Sequence, residues 1–280
     1  MNIQWYPGHM TKARRALEKQ LKLIDLVVEV VDARAPKSTR NPDFDDLFSA
    51  KDRMFVLNKE DMASPEETKR WLAHYKRQGF DAVSFSAVSG DPKKLQKAIE
   101  ASGQAIVEKY AARGMQKTVR MLVAGIPNVG KSAIINRLAG RKRMTEANRP
   151  GVTRGLTWLK LTPYLEFMDS PGMLWPKIDD DRTGALIALL GSIRQEILDE
   201  EALAYYLLDY LKQSAPHMLM ERYKLDSLPA DTGQLIEAIC EKRGFLMRGG
   251  VLDLERGYRM VLEEFRNGKM GKVTLEVAPV

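Results

Sequence analysis

Gly125-Ile126-Pro127-Asn128-Val129-Gly130-Lys131-Ser132 satisfies the pattern G-x-x-x-x-G-K-[ST] at every defined position. It follows the apolar run Val119 to Ala124, read as a buried strand, and it opens a stretch with helical spacing. A strand feeding such a loop and then a helix is the context the pattern requires. Glycines let backbone N–H groups close around phosphates, and the helix N-terminus adds partial positive charge. In such a loop Lys131 bridges β- and γ-phosphate oxygens and the Ser132 hydroxyl is placed to ligate Mg²⁺, while Asn128, Val129, Gly130 and Ala133 complete the phosphate cradle. The stretch predicts nucleoside-phosphate binding on a mostly parallel α/β sheet with flanking helices.

Downstream, Asp169-Ser170-Pro171-Gly172 ends an apolar strand. An aspartate there can hold Mg²⁺ through water, and the Gly172 N–H can sense a γ-phosphate. Between the two lies Arg149-Pro150-Gly151-Val152-Thr153, in which Thr153 is the natural second hydroxyl ligand to Mg²⁺. In this order behind a phosphate loop, the two segments describe γ-phosphate-dependent switches. Upstream, Asn58-Lys59-Glu60-Asp61 directly follows the apolar run ending at Leu57, and it resembles the N-K-x-D element of translation-factor GTPases. The Asp61 carboxylate can accept from N1–H and the 2-amino group of guanine, a donor pair adenine lacks, so a wrong base leaves it unpaired. Lys59 would lay its stem over the base plane, Asn58 would tie this loop to the phosphate loop, and the backbone of Ser86-Ala87 would reach guanine O6. GTP and GDP are therefore the expected ligands.

The order of these motifs is itself informative. Asn58 precedes Gly125, whereas ordinary GTPases run phosphate loop, switches, then guanine motif. Joining old termini and cutting elsewhere leaves the same strands presenting the same loops, so a circularly permuted GTPase domain is expected over 1–178. The cut falls just after the second switch, which would link a γ-phosphate-dependent movement to whatever follows.

Strand patterns are read at 26–31, 54–57, 82–85, 155–161 and 164–168, besides the run before the phosphate loop. A basic amphipathic helix is read over 10–24, one helix starts at Ser64-Pro65, and a long one runs from Asp91-Pro92 to about Arg113. After residue 178 apolar residues fall at helical spacing, over 185–197, 200–212, 216–224, 231–243 and 250–267, and a strand signal returns only at 273–277. An all-helical C-terminal domain over 179–280 is expected.

Residues 1–180 hold 31 Lys+Arg against 21 Asp+Glu, while residues 181–280 hold 13 against 16. The basic excess thus sits in the front part, around Lys12 to Lys22, Arg113 to Arg120 and Arg141-Lys142-Arg143. Such a surface suits RNA, although charge alone does not separate that from a solvated basic face. A single cysteine, Cys240, excludes an intrachain disulfide and a cysteine zinc cluster. No apolar run approaches a membrane span and the N-terminus lacks a signal-peptide layout, so a cytoplasmic protein without membrane association is expected. No heptad seam appears, and no oligomer is expected.

With its motifs in this order, the whole chain resembles the ribosome biogenesis GTPase A family, the YlqF/RbgA type of circularly permuted GTPase. The most specific shared element is Trp5-Tyr6-Pro7-Gly8-His9-Met10, with Asp32-Ala33-Arg34 and the length of the helical tail in support. The resemblance implies a factor acting in assembly of the large (50S) ribosomal subunit, binding rRNA through both domains and stimulated by the ribosomal particle. The acidic balance after residue 180 sits awkwardly with RNA binding there; Lys242-Arg243 with Arg248, or Arg266 with Lys269 and Lys272, could supply phosphate contacts. Many GTPases orient water with a glutamine just after Asp-x-x-Gly, but Met173 and Leu174 occupy that place. The resemblance offers two substitutes. Asn128 matches the position that helps hold K⁺ beside the phosphates in potassium-activated relatives, and His9 could orient the attacking water once a partner orders its segment. A lone terminal histidine is otherwise a surface group or a structural hydrogen-bonding one. The competing reading is an RNA-binding scaffold that holds GTP without turning it over.

Overall fold

Six strands form one sheet in the order β3-β2-β1-β4-β6-β5 in a computed structural model that describes residues 14–15, 17–140, 158–170, 172–175, 178, 180–193 and 198–279. They are β1 (Leu26–Asp32), β2 (Asp52–Asn58), β3 (Asp81–Phe85), β4 (Val119–Ala124), β5 (Trp158–Thr162) and β6 (Leu165–Asp169). β1 to β4 and β6 run parallel, and β5 pairs antiparallel with β6 at the edge. Every residue of β1 is buried, which is why its sequence reads as a continuous apolar run rather than an alternating one. Its mid-strand carboxylate, Glu29, lies wholly inside and is paired with Arg53 and Arg40.

The connections carry the flanking helices α1 (Asp43–Leu47), α2 (Pro65–Arg77), α3 (Pro92–Ala111) and α4 (Lys131–Ala139). Ser64 caps α2 by accepting the Glu67 N–H, and Asp91 caps α3 by accepting that of Lys93, with Pro at the first turn of each. The chain winds outward from β1 to β3, returns through α3, and resumes on the other side of β1 with β4. Order therefore reverses between β1 and β4, and that is where a parallel sheet opens its ligand crevice at the carboxyl ends. The helix expected at 10–24 is seen from Arg14 and tightens into a 3₁₀ turn at Leu21–Leu23; its beginning lies outside the described residues. α1 is not among the helices read from the sequence. The strand expected at 155–161 is described from Trp158 and extends to Thr162.

The chain divides into two compact units, one spanning Asn2–Ile178 together with Thr274–Val280, the other Asp179–Val273. The second holds α5 (Asp181–Leu189), α6 (Glu200–Ser214), α7 (Pro216–Tyr223), α8 (Thr232–Arg243) and α9 (Leu254–Arg266). Asp180, Asp199, Asp231 and Asp253 each accept first-turn N–H groups, a cap worth about 1 kcal/mol apiece. Glu264 of α9 pairs with Arg222 and Arg243, tying α7 and α8 to α9. Burial pushes the Glu264 carboxyl up, but the two guanidiniums outweigh it and hold it below its ordinary range. The last helix starts at Leu254, not 250, because a turn at Gly249-Gly250 folds Leu246 back against Leu252.

Two expectations for the end of the chain are corrected. Residues 273–277 form no strand, and Thr274–Val280 belongs to the sheet unit rather than to the helical domain expected over 179–280. The tail is held by side chains instead of a ladder. The Trp71 Nε1–H donates to the Glu276 carbonyl at 3.0 Å, and Leu275 is 1% exposed, a burial worth about 2 kcal/mol. Ala278 joins the cluster of Val31, Phe55, Leu57, Trp71 and Tyr75.

Candidate functional site

The phosphate loop leaves β4 at Gly125 and ends at the N-terminus of α4, where Lys131 begins the helix. Lys131 is curled inward, its ammonium donating to the Ile126 carbonyl at 2.9 Å. Burial pushes that ammonium down to about 8, with the Asp169 carboxylate opposing the shift. Burial in turn raises the Asp169 carboxyl, against Lys131 and the Ser170 N–H. Asp169, Ser170 and Gly172 line one cleft of about 380 Å³ with Pro127, Asn128, Lys131 and Ser132. Phosphate-loop and second-switch residues, far apart in sequence, thus share one wall-to-wall space. A methyl group on Gly172 would lie 2.9 Å from the Pro127 backbone, so only glycine permits this approach.

The turn after β2, which carries the N-K-x-D residues, joins next. Asn58 Nδ2 donates to the Val129 carbonyl at 2.8 Å, and its Oδ1 accepts the Ala87 N–H at 3.1 Å. One buried amide therefore fastens three loops, those after β2, β3 and β4. The Ala87 N–H, expected at guanine O6, is engaged by Asn58. Ser86 is buried, and its hydroxyl accepts the Ser89 N–H, which closes that loop on itself. Gly130 has φ +99°, and a Cβ there would come within 2.2 Å of Asn58 Nδ2. Lys59 is also left-handed, at φ +63°, uncommon for a lysine, and Asn128 at φ +62°, which asparagine tolerates well. Lys59 Nζ donates to the Asn128 carbonyl at 2.8 Å and pairs with Asp32 Oδ2 at 2.9 Å. Asp61 sits in the 3₁₀ turn Glu60–Met62 that follows, half-buried.

Asp32 is a site residue that the motif reading did not assign. It ends β1 directly opposite Asn58 in the parallel register, and it is 1% exposed. Arg34, equally buried, grips it with Nε at 3.0 Å and NH2 at 2.9 Å. Burial raises the Asp32 carboxyl, yet Arg34 and Lys59 together more than reverse this and hold it well below its ordinary range. The signal was present: a carboxylate at the end of a buried strand, beside the strand that delivers Asn58-Lys59. Asn41 was missed too; its Nδ2 donates to the Met173 carbonyl, which fixes the segment after Gly172. Met173 itself is buried with Leu17, Phe44 and Met168, away from any water-orienting role.

Ser132 and Ala133 are exposed in the first turn of α4, where backbone N–H groups have no intrahelical partner. Among the described residues no group of three His, Cys, Asp or Glu could hold a metal. The donor set that is present, one hydroxyl and one carboxylate on a shared cleft, fits Mg²⁺ carried in with substrate phosphates. His9 and Thr153 lie outside the described residues. Of the basic groups singled out for RNA, Arg14 pairs with Glu18 and Asp43, Lys117 with Asp25, and Arg120 with Glu166. In the helical unit Arg243 is committed to Glu264, and Arg266 donates to the Ala188 and Leu189 carbonyls; Lys242, Arg248, Lys269 and Lys272 are exposed. Among the described residues no helix is long and apolar enough to cross a membrane.

A family model described as 50S ribosome-binding GTPase matches residues 120–229. The chain is 43% identical over 278 residues to Ribosome biogenesis GTPase A of Bacillus cereus, covering 99% of this chain and 94% of that protein. It is 31% identical over 274 residues to Ribosome biogenesis GTPase A of Thermotoga maritima, covering 98% and 94%. The crystal structure of GNP-bound YlqF from T. maritima superposes with a TM-score of 0.69 at 30% identity, covering 95% of this chain and 98% of that one. A GDP-bound structure of the T. maritima protein gives 0.67 at 29% identity, covering 93% and 98%. With phosphate loop and switch aspartate lining one cleft and the displaced N-K-x-D turn bonded to that loop, the chain belongs to the ribosome biogenesis GTPase A family and is a circularly permuted, nucleotide-binding GTPase.

Proposed function

We propose that this protein is an assembly factor for the large (50S) ribosomal subunit, which binds rRNA and hydrolyses GTP faster when the ribosomal particle engages it. The observation that carries the reading is the Asn58 amide, which fastens the base-reading turn to the phosphate loop so that both ends of a guanine nucleotide can be held at once. The printed names of the relatives and the description of the family model support the ribosomal partner.

In this reading Asp61 accepts from guanine N1–H and the 2-amino group, Lys59 covers the base, and the Ser86-Ala87 loop closes its edge. Asn128, Val129, Gly130, Lys131, Ser132 and Ala133 hold the phosphates, and Gly172 meets the γ-phosphate. Ser132, Thr153 and Asp169 would hold Mg²⁺, which supplies neutralisation of charge developing on the phosphoryl oxygens. Asn128 would help place K⁺ beside the same oxygens. Lys131 enters the reaction desolvated, so its charge acts at full strength on the β- and γ-phosphates. His9 orients the attacking water, the role that Met173 cannot fill. The protein works in the cytoplasm, where ribosomes are assembled.

Steady-state GTP turnover by the purified protein tests this, measured alone, with large and with small ribosomal subunits, in potassium and in sodium buffer. Stimulation by large subunits only is expected, with a further gain in potassium. Turnover unmoved by either subunit would instead make the protein a GTP-liganded scaffold and end the assembly reading.

A further inference from the structure

The tail from Thr274 docks on α2, through Glu67, Trp71 and Arg77, and on the turns that follow β1 and β2. Those strands are parallel neighbours with Asp32 opposite Asn58, so their turns emerge side by side. Three backbone donors in the turns and their continuations find their acceptors in tail side chains. The Lys37 N–H donates to Glu276 Oε2 at 2.7 Å, the Ser38 N–H to Glu276 Oε1 at 3.1 Å, and the Ser64 N–H to Thr274 Oγ1 at 3.0 Å. The Ser38 hydroxyl also donates to Glu276, and the Leu275 N–H donates to the Arg34 carbonyl at 2.7 Å. Without the tail these donors, in the loops that carry Asp32, Arg34, Lys59 and Asp61, would exchange fixed side-chain acceptors for mobile water.

The line of contact to the base-reading residues is short. Leu275 holds the Arg34 backbone, the Arg34 guanidinium holds Asp32, and Asp32 holds the Lys59 ammonium. On the other turn, Thr274 holds Ser64, which caps α2 just after the 3₁₀ turn bearing Asp61. We propose that Thr274–Ala278 is a positioning strap for guanine recognition, which fixes the turns after β1 and β2 where Lys59 and Asp61 meet the base. The inference rests on the assignment of Asp61 and Lys59 to the base. The strap is also covalently continuous with the helical unit, whose last residue is Val273. A partner that binds the helical unit thereby has a direct chain connection to nucleotide affinity.

The test is the ratio of Kd values for IDP and GDP, read by titration against the full-length protein, a Glu276→Gln variant and a variant lacking Thr274–Val280. Inosine lacks the 2-amino group, so the ratio reports how well Asp61 is placed rather than how stable the protein is. The wild type is expected to favour GDP, and the ratio to shrink at least threefold in Glu276→Gln and further in the truncation. A purely structural tail would lower the melting temperature and weaken GDP and IDP by the same factor, and that result overturns the proposal. Asp61→Asn in the same titration separates the two ideas. If it leaves the ratio unchanged, the base assignment and the strap both fall; if it collapses the ratio while Glu276→Gln and the truncation do not, the strap alone falls.

Discussion

The Asn58 side chain donates to the Val129 carbonyl over 2.8 Å, joining residues 71 positions apart in the chain. The contact makes the rearranged order of motifs harmless, because the base-reading turn and the phosphate loop are bonded directly whichever comes first. Asn58→Ala would orphan the buried Val129 carbonyl, a cost of about 1–3 kcal/mol, and free the half-buried Ala87 N–H. GDP affinity is expected to fall at least tenfold, with GTP falling in parallel, as measured with a fluorescent nucleotide. Affinity within twofold of wild type would show that the loops hold their places without it.

Gly130→Ala should be as damaging by a different route. The position has φ +99°, and an added Cβ would lie 2.2 Å from Asn58 Nδ2. Backbone strain of about 1–2 kcal/mol adds to displacement of the amide. Loss of nucleotide binding with a retained far-ultraviolet circular dichroism spectrum is the expected result.

On the proposed assignment, Asp61→Asn replaces one acceptor oxygen by a donor at the purine N1 and 2-positions. GDP affinity should drop by about a hundredfold or more, and xanthosine nucleotides, which carry a 2-oxo group, should gain. Competition between GDP and XDP on the variant checks the direction. GDP binding unchanged would remove Asp61 from the base site.

Asp32 gives the protein an acid-sensitive term of known sign. Its folded carboxyl is held well below the ordinary value, so the stability it contributes is fully present above pH ~4 and is lost as pH falls from there toward the folded value. Asp32→Asn leaves the buried Arg34 guanidinium and the partly exposed Lys59 ammonium short of a counter-charge and should cost about 3–5 kcal/mol at neutral pH, mostly through Arg34. Below pH ~4 the gap between wild type and variant should close by up to about 1.4 kcal/mol per pH unit in urea denaturation. Parallel stability curves from pH 6 to pH 3 would contradict the assignment.

Met173→Gln should not create a faster enzyme, although glutamine at that place orients water in many GTPases. Met173 is 4% exposed and packed among Leu17, Phe44 and Met168, while Asn41 fixes its carbonyl. The amide would be buried without partners, at about 1–3 kcal/mol. A lower melting temperature with no rise in intrinsic GTP turnover is expected.

The sequence alone determined the motifs and where the six strands of the sheet run. Glycine and lysine at fixed spacing, an apolar run before them and an aspartate ending another strand are local signals, set by backbone geometry within a few residues. For the same reason helices that begin Ser64-Pro65 and Asp91-Pro92 were readable almost to their first residue. What the sequence did not carry were contacts between segments that neither spacing nor periodicity brings together. Asp32 reads as the polar end of a strand until parallel pairing sets it opposite Asn58 and within reach of Lys59. Residues 273–277 alternate as a strand would, but Glu276 is taken up by the Lys37 and Ser38 N–H groups, and the tail docks through side chains without entering the sheet. Local propensity fixes elements over a few bonds. Which buried donor meets which acceptor across hundreds of residues is decided only when tertiary packing removes water as the alternative partner.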